Sequence, residues 1–83
     1  MNPTLVKIVR PADSPVDEPS VAALERHLLG GHEPPFRRSV SKASTSYVRV
    51  IHDQGALDSL LTMAEPLVSA AWVSVSLNGR TWK

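Results

Sequence analysis

The sequence contains no cysteine, and this absence removes several classes of protein at once. Without thiols the chain has no disulfide framework, no thiolate zinc site and no thiol nucleophile. No segment approaches the roughly 20 apolar residues of a membrane span, and the N-terminus lacks the apolar core of a signal peptide. We therefore expect a soluble cytoplasmic protein without membrane attachment.

The sequence also lacks a strong excess of either charge. Nine Lys and Arg residues against eight Asp and Glu residues leave a net charge of +1. Nucleic-acid-binding domains usually carry a clear basic excess in a stripe or patch, so this signal is weak. With 42% apolar and 20% charged residues, the composition is that of a folded globular protein. The 83 residues predict a single domain spanning 1–83.

No group of residues has the spacing of a catalytic or metal site. The candidates for acid–base chemistry are His27, His32, His52, Asp13, Asp17 and Asp53. Such groups must converge in a cleft, but the adjacent His52 and Asp53 diverge on an extended backbone. His27 and His32 straddle a predicted helix end and lack the i, i+4 spacing of a helical metal pair. We therefore predict a protein that is not an enzyme and uses no cofactor or metal.

Apolar alternation predicts two strong strands, at residues 4–10 (TLVKIVR) and 46–51 (SYVRVI). Residues 36–41 predict a weaker strand. The segment VAALERHLL predicts a helix that is capped by Asp17 and ended by Gly30-Gly31. A second helix begins after a cap at Asp53, and Pro66 predicts a kink or an early end near Glu65.

The pair Asn78-Gly79 between alternating residues is the strongest hairpin signal in the chain. A two-residue type I′ turn pairs Leu77 with Arg80, Ser76 with Thr81 and Val75 with Trp82. The resulting order of elements is βαββαβ with a short final strand. This order predicts an α+β, ferredoxin-like sandwich, with two helices on one face of an antiparallel sheet and residues 4–10 and 46–51 in the two central strands.

Side-chain alternation then assigns each strand residue to a face of the sheet. The predicted helix-facing set is Val6, Ile8, Val48, Val50, Val73, Val75, Leu77 and Trp82. The predicted uncovered set is Leu5, Lys7, Val9, Tyr47, Arg49, Ile51, Trp72, Ser74 and Ser76. Contiguous exposed apolar groups mark interfaces, and Tyr, Trp and Arg are enriched in binding hot spots. The predicted partner-binding residues are Trp72, Tyr47, Arg49, Lys7, Ile51, Arg37 and Arg38.

The function that fits this surface is a small protein-binding regulator or inhibitor that occupies a partner's surface. Small size, near-neutral charge and no catalytic constellation are typical of small phage and mobile-element inhibitors, a class-level analogy only. The interface could also form a homodimer, with the two sheets stacked face to face or joined at an edge. A regulatory ligand-binding module of the ACT type is a variant, although the loop PADSPVDEP lacks the glycine expected there.

The alternative function is RRM-like nucleic-acid binding. An RRM has this topology and stacks bases on aromatic residues of its central strands. Here Tyr47 lies on the third strand beside Arg49, and Arg37 and Arg38 supply a basic doublet. Against this alternative, the first strand has no aromatic residue, and SYVRVI lacks the glycine- and aromatic-rich pattern of that family.

Overall fold

The chain forms one five-stranded sheet and two helices. A computed structural model describes residues 2–83. The elements are β1 (Thr4–Pro11), α1 (Pro19–Gly30), β2 (Arg37–Val40), β3 (Ser44–Ile51), α2 (Gln54–Ser69), β4 (Ser74–Leu77) and β5 (Arg80–Thr81). The strand order is β2-β3-β1-β4-β5, and every neighbouring pair is antiparallel. This confirms the predicted α+β, ferredoxin-like topology with an added edge strand.

The two central strands, β1 and β3, pair along their whole length, from Thr4 opposite Ile51 to Pro11 opposite Ser44. Their apolar composition suits this position, because central strands have neighbours on both sides. The weakly predicted strand also exists: β2 pairs with β3 and forms one edge of the sheet. The hairpin between them closes where Ser41 N–H donates to the carbonyl of Ser44.

Both helices begin at side-chain caps. Asp53 accepts a hydrogen bond from the Ala56 N–H and caps α2, as predicted. The cap of α1 is Glu18 and not Asp17, so that prediction was wrong. The Glu18 carboxylate accepts from the N–H groups of Ser20 and Val21, and its longer side chain reaches these groups from directly before Pro19.

Pro66 lies inside α2 and does not end it, so of the two predicted alternatives, a kink or an early end near Glu65, the early end is wrong. The helix continues to Ser69, and the Ala70 N–H donates to the Pro66 carbonyl. Pro66 itself lacks an N–H, which leaves the Thr62 carbonyl without its helical donor. The apolar face of α2 packs on the core through Leu67, beyond the proline, and this packing favours continuation of the helix. Within residues 2–83, neither helix combines the length and the apolar character that crossing a membrane requires.

The core lies between the sheet and the helices. It is formed by Val6, Ile8, Val21, Leu24, Leu28, Phe36, Tyr47, Ile51, Leu57, Leu60, Ala64, Leu67, Val73 and Val75. The helical members recur with the 3.6-residue period of an amphipathic helix, as predicted.

The face assignment of β3 was wrong. Tyr47 and Ile51 are each only 1% exposed and belong to the core, whereas Val48 and Val50 lie on the uncovered face. Ile8 is directly opposite Tyr47, so the two side chains share the helix-covered face. Burying Tyr and Ile in place of two Val residues removes more apolar surface from water, which favours this arrangement.

The C-terminal hairpin has the predicted turn and register. Asn78 and Gly79 have φ angles of 52° and 82°, as a type I′ turn requires. Leu77 pairs with Arg80, and the Trp82 N–H donates to the Val75 carbonyl. Trp82 packs against the core as predicted, but it is half-buried.

Asn78 also joins the hairpin to the start of β1. Its side-chain Oδ1 accepts from the Leu5 N–H at 2.8 Å, and its own N–H donates to the Leu5 carbonyl at 2.8 Å. One residue therefore supplies both the left-handed turn conformation and two further bonds to a central strand.

We predict that Asn78→Ala lowers the free energy of unfolding by about 2 kcal/mol, because alanine is strained at positive φ and lacks the bond to Leu5. In Asn78→Gly the glycine adopts the positive φ of the turn without strain and only the side-chain bond is lost, so the free energy of unfolding falls by less, about 1 kcal/mol. Urea unfolding of both variants checks this. Equal stability of wild type and Asn78→Ala contradicts it.

Candidate functional site

The sheet face that the helices leave uncovered is the candidate binding surface, and it is called the open face below. The strand register assigns it Leu5, Lys7, Val9, Arg37, Ser39, Ser46, Val48, Val50, Ser74, Ser76 and Thr81. A continuous cross-strand row runs through its middle: Arg37, Val48, Lys7, Ser76 and Thr81. Beside this row, the cross-strand neighbours Leu5 and Val50 are 43% and 42% exposed.

Charge is unevenly distributed between the sheet and the rest of the molecule. All eight acidic residues lie outside the strands, whereas six of the nine Lys and Arg residues lie within them. The open face therefore carries two cations, Lys7 and Arg37, and no acidic residue. The open face is therefore apolar, with one positive charge near its centre, at Lys7, and another at its β2 edge, at Arg37.

The structure separates the seven predicted site residues. Lys7 is exposed on the open face, as predicted, and Arg37, which the alternation did not assign to a face, is also exposed there. Tyr47, Ile51 and Arg49 lie on the opposite, helix-covered side, so their predicted exposure on the open face was wrong.

The other two predicted residues also lie off the open face. Arg38 shares the helix-covered side with Tyr47, which is directly opposite it. Trp72 lies outside β4, in the connection after α2, and is half-buried against the core. The Trp72 N–H donates to the Leu67 carbonyl, and Ala71 takes a φ of 62° in the turn that ends the helix. The C-terminus of α2 therefore positions Trp72, and the side-chain alternation along β4 does not decide which face of the sheet it occupies.

A polar cluster lies under α1, centred on Glu25. The Tyr47 hydroxyl donates to Glu25 Oε2. Arg10 approaches the same oxygen at 3.5 Å, and Arg38 approaches Oε1 at 3.7 Å. The cluster thus joins one helix to three strands, and it gives the buried phenol and the mostly buried Arg10 a polar partner.

The Glu25 cluster sets the protonation state of the phenol. Burial raises the pKa of Tyr47, and the hydrogen bond to Glu25 raises it further. The phenol therefore keeps its proton near neutral pH and acts as a donor. This arrangement suits a structural hydrogen bond, because a nucleophile or base requires the pKa to move in the opposite direction.

A second polar cluster closes the end of α1. His32 Nε2 lies 3.1 Å from His27 Nε2, and an Arg49 guanidinium nitrogen lies 3.1 Å from His32 Nδ1. Arg49 also donates to the Glu33 carbonyl at 3.0 Å. Arginine only donates, so Nδ1 of His32 must be the acceptor, and the proton of its neutral ring is on Nε2, facing His27.

The histidine cluster lacks the partners of a catalytic or metal site. A catalytic histidine is oriented by a carboxylate that stabilises its cation, whereas His32 faces the cation of Arg49. Burial lowers the pKa of His32, and His27 and Arg49 lower it further. Across residues 2–83, no three His, Asp or Glu side chains are grouped to hold a metal ion.

Sequence reasoning missed the partners in both clusters. Glu25 lies four residues after the buried Val21 and three before the buried Leu28, which places it beside the buried face of α1. That spacing was the available signal for Glu25. Nothing in the sequence brings Arg10 to Glu25 or Arg49 to His32, because these contacts join elements that are distant in the chain.

Comparisons with known proteins add no relative to this picture: no family model, no curated protein and no solved structure matches the chain.

We expect Tyr47→Phe to lower the free energy of unfolding by roughly 1–2 kcal/mol, because Glu25 loses its hydroxyl donor while the ring packing is kept. Combining it with Glu25→Gln in a double-mutant cycle isolates the pairwise contribution. The Tyr47 assignment is contradicted if Tyr47→Phe unfolds at the same urea concentration as wild type.

Stability is expected to fall on acidification through the histidine cluster. Because the pKa of His32 is lower in the folded state, the unfolded chain binds the proton more readily. This contribution is complete above the unfolded pKa of about 6.5 and is lost as the pH falls towards the folded value. Urea unfolding between about pH 7.5 and pH 5.5 measures the slope of the unfolding free energy against pH.

His32→Gln should flatten this slope, whereas His52→Gln, at an exposed histidine, should leave it unchanged. If wild type and His32→Gln have the same slope, the loss of stability on acidification comes from other titratable groups.

Proposed function

We propose that the protein is a non-enzymatic regulator or inhibitor that acts by covering part of a partner protein's surface with its open face. The observation that carries the proposal is the composition of that face. It exposes apolar side chains on the central strands, carries Lys7 and Arg37, and includes no acidic residue.

The apolar part of the face supports docking. Leu5 and Val50 are cross-strand neighbours on the two central strands, where both are more than 40% exposed, and Val48 and Val9 extend the patch along the same strands. Isolated exposed hydrophobic residues are common, but a contiguous group is typical of a contact surface.

Charge complementarity specifies the chemistry of the partner. Lys7 is central in the cross-strand row, and Arg37 lies at its β2 end. A partner with an apolar patch and neighbouring Asp or Glu residues matches both features, and opposite potentials favour association of such surfaces. The proposed partner is therefore an acidic protein surface.

The size of the open face favours a transient complex. The five strands contain 26 residues, and at about 3.3 Å per residue and about 4.8 Å between strands they give a face of roughly 400 Å². This is below the roughly 800 Å² per partner of a standard interface and corresponds to a weak or short-lived contact.

A homodimer that stacks two open faces is less favourable. Lys7 lies near the centre of the face, so a two-fold axis through that centre brings the two copies of Lys7 together. No acidic residue of either open face is available to neutralise them. We therefore propose a different protein as partner and a monomer in isolation.

The RRM-like alternative loses its main support. It requires aromatic residues on the uncovered face, but Tyr47 is buried on the other side and packs under α1. None of the open-face residues is aromatic, so bases have no stacking platform there.

The test compares two exposed valines. Val50 lies on the open face, whereas Val40, at 64% exposure, lies on β2 opposite Thr45 and so on the other side of the sheet. Affinity capture from the organism that encodes the protein identifies a partner, which is then purified for titration calorimetry. Val50→Glu should weaken binding by at least about thirtyfold, because it places an unpaired carboxylate in an apolar contact.

The matched control Val40→Glu should bind as wild type does. Equal binding by wild type and Val50→Glu excludes the open face as the docking surface. Salt-sensitive retardation of DNA or RNA that is lost in Lys7→Glu would instead favour nucleic acid. Light scattering should give the 9.0 kDa mass of a monomer. Twice that mass would indicate that the open face forms a homodimer.

A further inference from the structure

A cleft on the helix-covered side of the sheet has the size of a ligand site. Its volume is about 400 Å³, which is within the range of small-molecule pockets, at its lower end. It lies where the first half of α1 passes β1 and β2. Three arginines and one carboxylate form its polar lining: Arg10, Arg26, Arg38 and Glu25.

The lining carries a net positive charge. Three guanidinium groups face one carboxylate, so the cleft has a net charge of +2. Glu25 already shows which chemistry this lining accepts, since its carboxylate lies between Arg10 and Arg38. Arg38 is 45% exposed and Arg26 is exposed on α1, so both retain accessible donors. These donors match the geometry of a carboxylate or phosphate.

Arg10 provides an independent observation. Its side chain is only 11% exposed, yet its contact with Glu25 is long, at 3.5 Å. Among residues 2–83 no acceptor reaches its buried Nε. Buried guanidinium donors normally have partners, and a guanidinium has five N–H groups to satisfy. Arg10 therefore adds to the wall of the cleft a positive charge whose hydrogen-bond donors are only partly satisfied.

The remaining lining is apolar and short. Val21 and Ala22 come from the first turns of α1, and Val16 comes from the loop that follows β1. Val16 is 54% exposed although it is apolar, and it lies at the cleft. A ligand that covers Val16 and Ala22 removes apolar surface from water while its charged end contacts the arginines.

We propose that this cleft binds a small organic anion, in which a carboxylate or phosphate group is joined to a short apolar group. The oxyanion contacts Arg26 and Arg38 and is attracted by Arg10, and the apolar group packs on Val16 and Ala22. The cleft and the open face lie on opposite sides of the sheet, so this inference is independent of the proposed protein partner.

The test is an NMR titration of the isotope-labelled protein with three probes that carry the same four-carbon apolar chain: pentanoate, butyl phosphate and butan-1-ol. We expect saturable shifts at the amides of Val16, Val21 and Ala22 with one or both anions and none with the alcohol. The stronger of the two anions identifies carboxylate or phosphate as the preferred group.

Variants locate the binding in the cleft. Arg26→Gln and Arg38→Gln should each weaken the anion by roughly tenfold, which corresponds to the loss of one charge-assisted hydrogen bond. Arg80→Gln, at an exposed arginine on the opposite sheet edge, should bind as wild type does. Val50→Glu should also bind normally, which separates this site from the open face.

Three results would overturn the inference. The first is the absence of saturable shifts with both anions. The second is an equal response to butan-1-ol, which would mean that charge has no role. The third is unchanged anion affinity in both Arg26→Gln and Arg38→Gln, which would place the binding elsewhere.

Discussion

The pairing of β1 with β3 determines which chemistry each side of the molecule presents. Ile8 stands opposite Tyr47 and Lys7 stands opposite Val48, so this register places Tyr47 and Ile51 under the helices and leaves Val48 and Val50 uncovered. A shift of one residue in β3 would reverse every one of these positions. Both proposed surfaces depend on this register, because it gives the open face its apolar patch and brings Tyr47 to Glu25.

Burying that side of β3 places polar groups beneath the helices, where polar partners offset part of the cost of burial. The Tyr47 phenol and the Arg49 guanidinium cannot be covered by apolar groups alone. Glu25 receives the phenol, and His32 with the Glu33 carbonyl receives the guanidinium. These two clusters hold α1 against the sheet at different points, so they contribute to the specificity of the packing as well as to its stability.

Although the total charge is close to neutral, positive charge is concentrated in two separate regions of the surface. The strands contain cations and no acidic residue, and the acidic side chains lie on the helices, the loops and the segments that cap the helices. On the open face the cations flank apolar groups, a combination suited to an acidic protein surface. On the other side, arginines converge beside Glu25 in a cleft of small-molecule size. The proposed docking surface and the proposed anion cleft thus both depend on basic residues of one sheet.

The sequence by itself determined the order of elements, the central strands, the type I′ turn at Asn78-Gly79 and the helix cap at Asp53. These features follow from local periodicity, backbone conformation and hydrogen bonds between near neighbours, so they can be predicted from the sequence. It did not determine the faces of β3, because Tyr47, Val48, Val50 and Ile51 place apolar residues at both parities. Nor did it place Trp72, which a helix end positions, or reveal the partners of Arg10 and Arg49. Only the tertiary structure decided these, because the free energy of burying a side chain depends on residues that are distant in sequence.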